Sequence, residues 1–232
     1  MTRSLRAGVI AVAAIAIGIG LSGCGSDTKS EPTTSKQTST ASSTTTSKAA
    51  PTSSAQAAGA NKTIVDYIKE NGITETSVHR GDPGSPTINL PLPPGWQDAG
   101  SRTPQWAYSA TLFSDPAMAQ DPPTIIALIS KLTGNVDPDK ILEFAPGEIK
   151  NLPGYEGDNE GSPSKLGGFD ATQIHGTYTR AGVKRTIAQK TVVIPGQDGL
   201  YVLQLNADGT EDQMGVLMDA MGVIDERTTI TP

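Results

Sequence analysis

The side chains that most often do chemistry in proteins are sparse in this 232-residue sequence. The two histidines, His79 and His175, lie far apart and match no metal or catalytic spacing such as His-Glu-x-x-His. The Gly-x-Ser-x-Gly pattern of a serine nucleophile is absent, and so are glycine-rich phosphate loops. Residues 162–165 match Ser-x-x-Lys, but the partner motifs are missing and the flanking glycines predict a flexible loop. We therefore predict no catalytic residue and no enzyme.

Acidic side chains are the remaining candidates for metal binding. Glu156, Asp158 and Glu160 alternate in one segment, but they do not match the twelve-residue calcium loop of an EF-hand. We interpret them as a solvated acidic loop. The chain has one cysteine, Cys24, so it can form neither an internal disulfide nor a zinc site of the cysteine type. The sequence predicts no metal and no other cofactor.

Aromatic side chains give the one candidate ligand site. Trp96, Trp106 and Tyr108 fall within a short segment that holds both tryptophans of the chain. Alternation along a predicted strand would put Trp106 and Tyr108 on the same face. Two interpretations are open: the rings cap the core of a sheet, or they line a cleft for an apolar ligand or a sugar, together with methionines of the last helix. These methionines are Met214, Met218 and Met221.

The charge of the chain excludes some partner classes. Lys and Arg number 18 and Asp and Glu number 24, so the formal net charge is −6. Residues 1–60 carry a net charge of +3, which leaves −9 on the rest. A nucleic-acid partner is not expected, because phosphate binding needs a basic surface. The same negative charge favours a neutral ligand over an anionic one.

The N-terminus has the pattern of an export signal. Two arginines precede an apolar run at residues 7–21, as in a secretory signal peptide. Residues 21–24, LSGC, resemble a bacterial lipobox, in which the cysteine is lipidated and the chain is cut just before it. We predict a signal peptide at 1–23, and N-acyl and S-diacylglycerol groups on Cys24. These groups would anchor the protein in the membrane, at the extracytoplasmic face of the cell membrane.

A tether and one domain follow the predicted anchor. Half of residues 25–60 are Ser or Thr, and none is Leu, Ile, Val or aromatic, so this segment cannot build a core. We predict a disordered tether at 24–60, with a root-mean-square reach of roughly 30–35 Å as a random coil. Residues 61–232 are predicted to form a single globular domain.

Hydrophobic periodicity in that domain predicts an α+β fold. Hairpin turns at 181–182 and 196–199 join the last three strands, so the sheet should be largely antiparallel, with helices covering its faces. Helices are predicted at residues 63–70, 137–149 (with a break near Pro146) and 211–221. Strands are predicted at residues 87–92, 105–113, 123–132, 168–180, 183–194 and 200–206.

Several long runs resemble one known family. Residues 61–73, 79–96, 121–134, 137–155, 188–208 and 223–232, together with the lipobox, resemble the mycobacterial LpqN/LpqT lipoproteins. The resemblance implies an actinobacterial cell envelope and a PsbP/Mog1-like α/β/α sandwich. It also implies a part in mycomembrane biogenesis, alongside trehalose glycolipids and MmpL-type lipid exporters. Cys24 is the only site residue that the resemblance carries over.

Two functions are compatible with these observations. The first is a tethered, non-catalytic binding module for trehalose glycolipids or for their export machinery. The second is an interaction or scaffold lipoprotein without a small-molecule ligand. A deep apolar cleft beside Trp96 or Trp106 would favour the first, and a filled sandwich with an exposed apolar patch would favour the second. Two polar side chains buried in one pocket with shifted pKa values would instead indicate an enzyme.

Overall fold

The computed structural model describes residues 60–232. The predicted signal peptide, Cys24 and nearly all of the predicted tether lie outside these residues. Helices alternate with groups of strands along the chain. The helices are α1 (Ile64–Glu70), α2 (Pro138–Phe144), α3 (Pro146–Lys150) and α4 (Met214–Arg227). The strands are β1 (Thr74–Ser77), β2 (Thr87–Asn89), β3 (Trp96–Asp98), β4 (Ser109–Phe113), β5 (Thr124–Thr133), β6 (Glu156–Gly157), β7 (Ser162–Leu166), β8 (Phe169–Arg180), β9 (Val183–Gly196), β10 (Gly199–Thr210) and β11 (Thr229–Thr231).

Nine of these strands form one antiparallel sheet. Its order is β3-β4-β5-β10-β9-β8-β6. One edge of β5 pairs with β10, and its other edge pairs with two short strands. Of these, β4 pairs with the first half of β5 and β1 with the second half. The edge of β8 is shared in the same way by β7 and β6. Strands β2 and β11 pair with each other in a separate two-stranded sheet.

The long strands β8, β9 and β10 are joined by tight hairpins, as the turn residues predict. Ala181 and Gly182 both adopt positive φ, 51° and 79°, which matches the right-handed twist of the flanking strands. The register then runs without interruption from Ala171 opposite Val192 to Arg180 opposite Val183. These two hairpins form the centre of the sheet and carry most of its buried side chains.

The two faces of the sheet pack against different helices, because successive side chains of a strand alternate between faces. Leu203 and Leu205 of β10 belong to a core cluster with Leu217 and Ile224 of α4. Val202, directly before Leu203 in sequence and on the other face, belongs to a cluster with side chains of α1 and α2. Helices therefore cover both faces, and the predicted α/β/α sandwich with an antiparallel sheet is confirmed.

The N-terminal end of α1 is fastened to the end of α3. The backbone and side-chain amides of Asn61 both donate to Oδ1 of Asn151 at 3.0 Å, and Nδ2 of Asn151 donates to the carbonyl of Asn61 at 2.7 Å. Gly147 allows this close approach, since a Cβ there would collide with the carbonyl oxygen of Lys62. We refer to the Asn61–Asn151 pair as the asparagine clasp.

Several element predictions were wrong in detail. The strand predicted at 105–113 begins only at Ser109, and Trp106 lies in a turn that the hydrogen bond from Ala107 N–H to the carbonyl of Pro104 closes. The 87–92 strand ends at Asn89 and pairs outside the main sheet. Residues 162–165, predicted as a loop, lie in β7. The first difference follows from the local turn at Pro104, the second from pairing with the distant strand β11, and the third from a tight hairpin between β7 and β8.

The methionine stripe of α4 is also corrected. The buried positions of this helix are Leu217, Ala220 and Ile224. Met214 and Met218 are exposed, Met218 to 67% of its surface, and only Met221 packs against the core. The face of α4 that packs against the sheet is therefore different from the face that Met214 and Met218 occupy.

Candidate functional site

The aromatic segment does not form one cleft. Trp96 is buried, with its ring 5.8 Å from that of Phe113, and Tyr108 is buried in the same core cluster. This burial favours the interpretation that these rings pack the core. Trp106 is half-buried and stands apart in its turn. The two cavities described below are lined by other residues, and a ligand role for Trp106 stays a prediction.

A groove of about 250 Å³ lies between α2, the start of β8 and the adjoining ends of β9 and β10. We call it the α2 groove. Its floor is apolar and its rim carries two carboxylates, Asp139 and Asp170. The apolar lining consists of Pro138, Leu142, Phe169, Val193, Pro195 and Leu200, with Gly168 at the turn.

Local sequence explains the shape of the groove. The side chain of Asp137 caps α2 by accepting from the N–H of Asp139 at 3.0 Å, with Pro138 in the first turn. Asp139 therefore lies in the first turn of α2, at the N-terminal end of the helix, and this end borders the groove. On the opposite wall, Gly167 and Gly168 both have positive φ and turn the chain from β7 into β8. A Cβ at Gly168 would meet no atom within 4 Å, so this wall is open.

The chemistry of the α2 groove suits a neutral amphiphile. Apolar carbons can cover Val193 and Leu200, which are buried beneath the opening. Carboxylates at the rim accept hydrogen bonds from hydroxyl groups. Asp170 is already bound by Nζ of Lys165 at 2.7 Å. Among residues 60–232, no cation lines the groove, so an anionic headgroup would gain no partner from this lining.

A second, smaller cavity brings two carboxyl groups together. It has a volume of about 20 Å³ and is lined by Glu75 of β1 and Glu148 of α3 among mainly apolar residues. Gln204 donates from Nε2 to Oε2 of Glu148 at 3.2 Å. Burial raises the pKa of both carboxyls, and the charges of Glu75 and Asp66 raise that of Glu148 further. The volume suffices for about one water molecule but not for a sugar or a lipid.

These carboxyls should make stability depend on pH. The folded-state pKa of Glu148 lies above its usual value of 4.5, so the folded chain binds more protons just above that pH. Stability is therefore fully present below pH 4.5 and lost as the pH rises through the folded-state pKa. Glu148→Gln should remove part of this loss, measured by urea unfolding between pH 4.5 and 8. The exposed Glu226→Gln is the control, and parallel curves for wild type and Glu148→Gln would contradict the assignment.

A buried lysine is the polar feature that the sequence analysis missed. Lys190 of β9 is 2% exposed, and its Nζ lies 2.6 Å from Oδ1 of Asp225 and 3.0 Å from Oγ of Ser164. A serine beside a lysine can form a nucleophile and its base. Here the ion pair with Asp225 makes the ammonium a structural cation that joins α4 to the sheet. The alternating strand pattern could have shown that position 190 faces the core, but its partners are 26 and 35 residues away.

The histidines take no part in a site with these groups. Nδ1 of His175 lies 2.8 Å from Oδ2 of Asp158, and 73% of the histidine side chain is exposed. His79 lies in an exposed loop. Within residues 60–232, no three His, Cys, Asp or Glu side chains are grouped so that they could hold a metal ion. In the same residues, no helix combines the length and the apolar character needed to cross a bilayer.

Comparison with known proteins identifies the family. The model of the family described as "Probable lipoprotein LpqN" matches residues 60–231. The chain belongs to the LpqN lipoprotein family. "Lipoprotein LpqN" of Mycobacterium tuberculosis (strain ATCC 25618 / H37Rv) is 56% identical over 226 residues, covering 96% of this chain and 97% of the relative. The predicted resemblance is thereby confirmed.

A solved LpqN structure confirms the fold as well. It is described as LpqN "involved in cell envelope biogenesis of Mycobacterium tuberculosis", and it is 57% identical with a TM-score of 0.71. The similarity covers 75% of this chain and all of that structure. The sequence match to the LpqN relative is longer and extends into the N-terminal segment that carries Cys24. Membership of a lipoprotein family indicates a membrane-associated protein of the cell envelope.

Proposed function

We propose that this chain is a lipid-anchored, non-catalytic binding module that serves trehalose glycolipid biogenesis or export in the mycomembrane. The observation that carries the proposal is the α2 groove, with its apolar floor and its two rim carboxylates. A monoacylated disaccharide has both features that this groove can recognise: acyl carbon for the floor and hydroxyl groups for Asp139 and Asp170. In this proposal, the ligand site moves from the tryptophan segment to the groove.

Location agrees with this role. The family is described as lipoproteins, and a relative is described as involved in cell envelope biogenesis. Lipidation of Cys24 would hold the domain on the extracytoplasmic face of the membrane, where such glycolipids are handled. A tether of residues 24–60 would let the groove move over roughly 30–35 Å. An MmpL-type exporter would be a partner that presents the lipid.

The proposal is tested by titrating the protein with a short-chain trehalose monoester in a calorimeter. Saturable binding is expected. Leu142→Gln should weaken it by about tenfold, because the floor loses an apolar side chain, equivalent to about 1.4 kcal/mol. Leu92→Gln, at a leucine that is 54% exposed outside the groove, is the matched control. Thermal melting of each variant separates lost binding from lost folding.

Two results would overturn the glycolipid assignment. Wild-type protein could show no saturable heat, or the two leucine variants could weaken binding equally. Absence of saturable heat would favour the scaffold function, and equal weakening by the two variants would place the glycolipid site outside the α2 groove.

An enzyme is the remaining alternative, and the cavity between Glu75 and Glu148 is its specific support. Its volume of about 20 Å³ argues against it, because a substrate could enter only after α1 or α3 moved. Incubation with the same monoester should give no hydrolysis or transfer product. A product that forms with wild type and not with Glu148→Gln would contradict the proposed binding function and would indicate a carboxylate-dependent enzyme.

A further inference from the structure

Two loops at one edge of the sheet form a surface that the proposed function does not use. It consists of His79 and Arg80 after β1, and Arg102, Gln105 and Trp106 between β3 and β4. The loops touch each other: Nε2 of His79 lies 3.3 Å from the carbonyl oxygen of Gln105. We call this region the Arg80–Trp106 surface.

Arg80 is preorganised on this surface. Its guanidinium makes a cation–π contact with the ring of Tyr108, with Cζ 5.4 Å from the ring centroid. Tyr108 is buried, so it gives the exposed guanidinium a fixed support. A cation–π contact uses no hydrogen-bond acceptor, so the N–H donors of the guanidinium stay available. Such a group is suited to bidentate binding of a phosphate.

The charge of this surface differs from that of the rest of the domain. Residues 78–108 contain two Arg and two Asp, so their net charge is zero while residues 61–232 carry −9. Both aspartates are engaged by their own loops: Asp82 accepts from the N–H of His79, and Asp98 accepts from the N–H of Gly100. Arg80 and Arg102 make no ion pair with any residue of the described range 60–232.

A partly exposed tryptophan lies in the same loop as Arg102 and directly follows Gln105, which contacts His79. Trp106 keeps part of its indole at the surface, whereas Trp96 is 6% exposed in the core. An indole has an apolar body and one N–H donor, which suits it to the interface between lipid headgroups and water. A guanidinium and an indole together therefore match a phospholipid surface, which offers phosphate and the upper acyl region at adjoining depths.

We propose that the Arg80–Trp106 surface docks the domain on the membrane, with Arg80 and Arg102 binding phospholipid phosphates and Trp106 entering the interface. This contact is additional to the lipid anchor. It rests on the membrane location in the proposed function but not on a glycolipid ligand. The phosphate is supplied by the bilayer itself, because the lipid anchor keeps the domain at a high effective concentration next to the phospholipid headgroups.

Charge also explains why the contact has to be local. A domain with a net charge of −9 is repelled by an anionic bilayer, so most of its surface would stay away. The Arg80–Trp106 surface is a part of the domain where this repulsion is cancelled. Each arginine near an anionic surface contributes a factor of about five in binding, so two of them suffice only for a reversible contact.

The test uses the lipid-anchored protein, reconstituted into vesicles of phosphatidylglycerol and phosphatidylcholine with brominated acyl chains. Bromine quenches tryptophan fluorescence at short range, and the buried Trp96 supplies a constant background. Quenching is expected in wild type and should disappear in Trp106→Phe. Arg80→Ala with Arg102→Ala should lower the docked-to-free ratio about 25-fold, which follows from a factor of about five for each arginine.

Arg227→Ala is the control for the loss of one positive charge, because it removes an arginine from the exposed end of α4. It should leave quenching unchanged, and the melting temperature of every variant should confirm folding. Absence of quenching in wild type, or an equal loss in Arg227→Ala, would overturn the proposal. An Arg80–Trp106 surface that stays clear of the bilayer would instead be available to an acidic protein. Calorimetric binding of the trehalose monoester is independent of all these outcomes, so failure here does not touch the α2 groove.

Discussion

Asp208→Ala is expected to lower the free energy of unfolding by about 3–5 kcal/mol, the range for removing one partner from a buried ion pair. Asp208 is 4% exposed and lies beside Nε of Arg185 at 2.9 Å. It also accepts from the hydroxyl of Tyr178 at 2.6 Å and lies 3.2 Å from Nη2 of Arg180. Without the carboxylate, the guanidinium of Arg185, itself 3% exposed, keeps Asp121 as its one charged partner within the described residues 60–232.

Urea unfolding measures this loss directly. Tyr178→Phe is the control, since it removes a single hydrogen bond of the same network and should cost only about 1–3 kcal/mol. Burial and the charge of Asp208 raise the pKa of Tyr178, so its hydroxyl stays protonated and donates throughout the accessible pH range. A loss below about 1 kcal/mol in Asp208→Ala would mean that water replaces the carboxylate and that this end of the sheet is open.

Asp225→Ala is expected to have a comparable effect at the other face of the sheet, again about 3–5 kcal/mol. The substitution leaves the ammonium of Lys190, which is 2% exposed, with Ser164 as its remaining partner. Asp225 itself is 39% exposed, so water can reach the vacated position and the effect should fall in the lower part of that range.

A rescue experiment separates the buried charge from the loss of the Asp225 side chain. Lys190→Met keeps a long apolar stem and removes the buried charge, and the Asp225 carboxylate that it leaves is 39% exposed and can be hydrated, so it should cost much less than Asp225→Ala. In the Lys190→Met background, Asp225→Ala should then cost less than about 0.5 kcal/mol. If it still costs several kcal/mol, Asp225 stabilises α4 by another route and the ion pair is incidental.

Local sequence signals predicted the elements whose causes are local. The Ala181-Gly182 turn, the Asp137-Pro138 start of α2 and the break at Pro146 all appear where the residues require them. The alternating strands β8 to β10 followed from the same kind of pattern. Together these elements define the sheet and its helical layers, so the fold class could be predicted correctly.

The candidate sites were not predictable in this way, because they join distant parts of the chain. The α2 groove combines Pro138, Phe169 and Pro195, which come from three separate elements. Trp106 was assigned to a strand face that the turn at Pro104 removes. Lys190 interrupts an apolar strand, and only the positions of Ser164 and Asp225 show how its charge is accommodated. Pairing register and tertiary contacts, rather than periodicity, determine each of these arrangements.

The asparagine clasp determines how tension on the N-terminal segment would enter the domain. A force applied to the chain before residue 60 would act on Asn61 first. The hydrogen bonds between Asn61 and Asn151 would transmit this force to α3 before α1 separates from its neighbours. The strands of the sheet are then loaded only through the helical layer. The clasp therefore directs such tension into α3 and shields α1 until the bonds between Asn61 and Asn151 break.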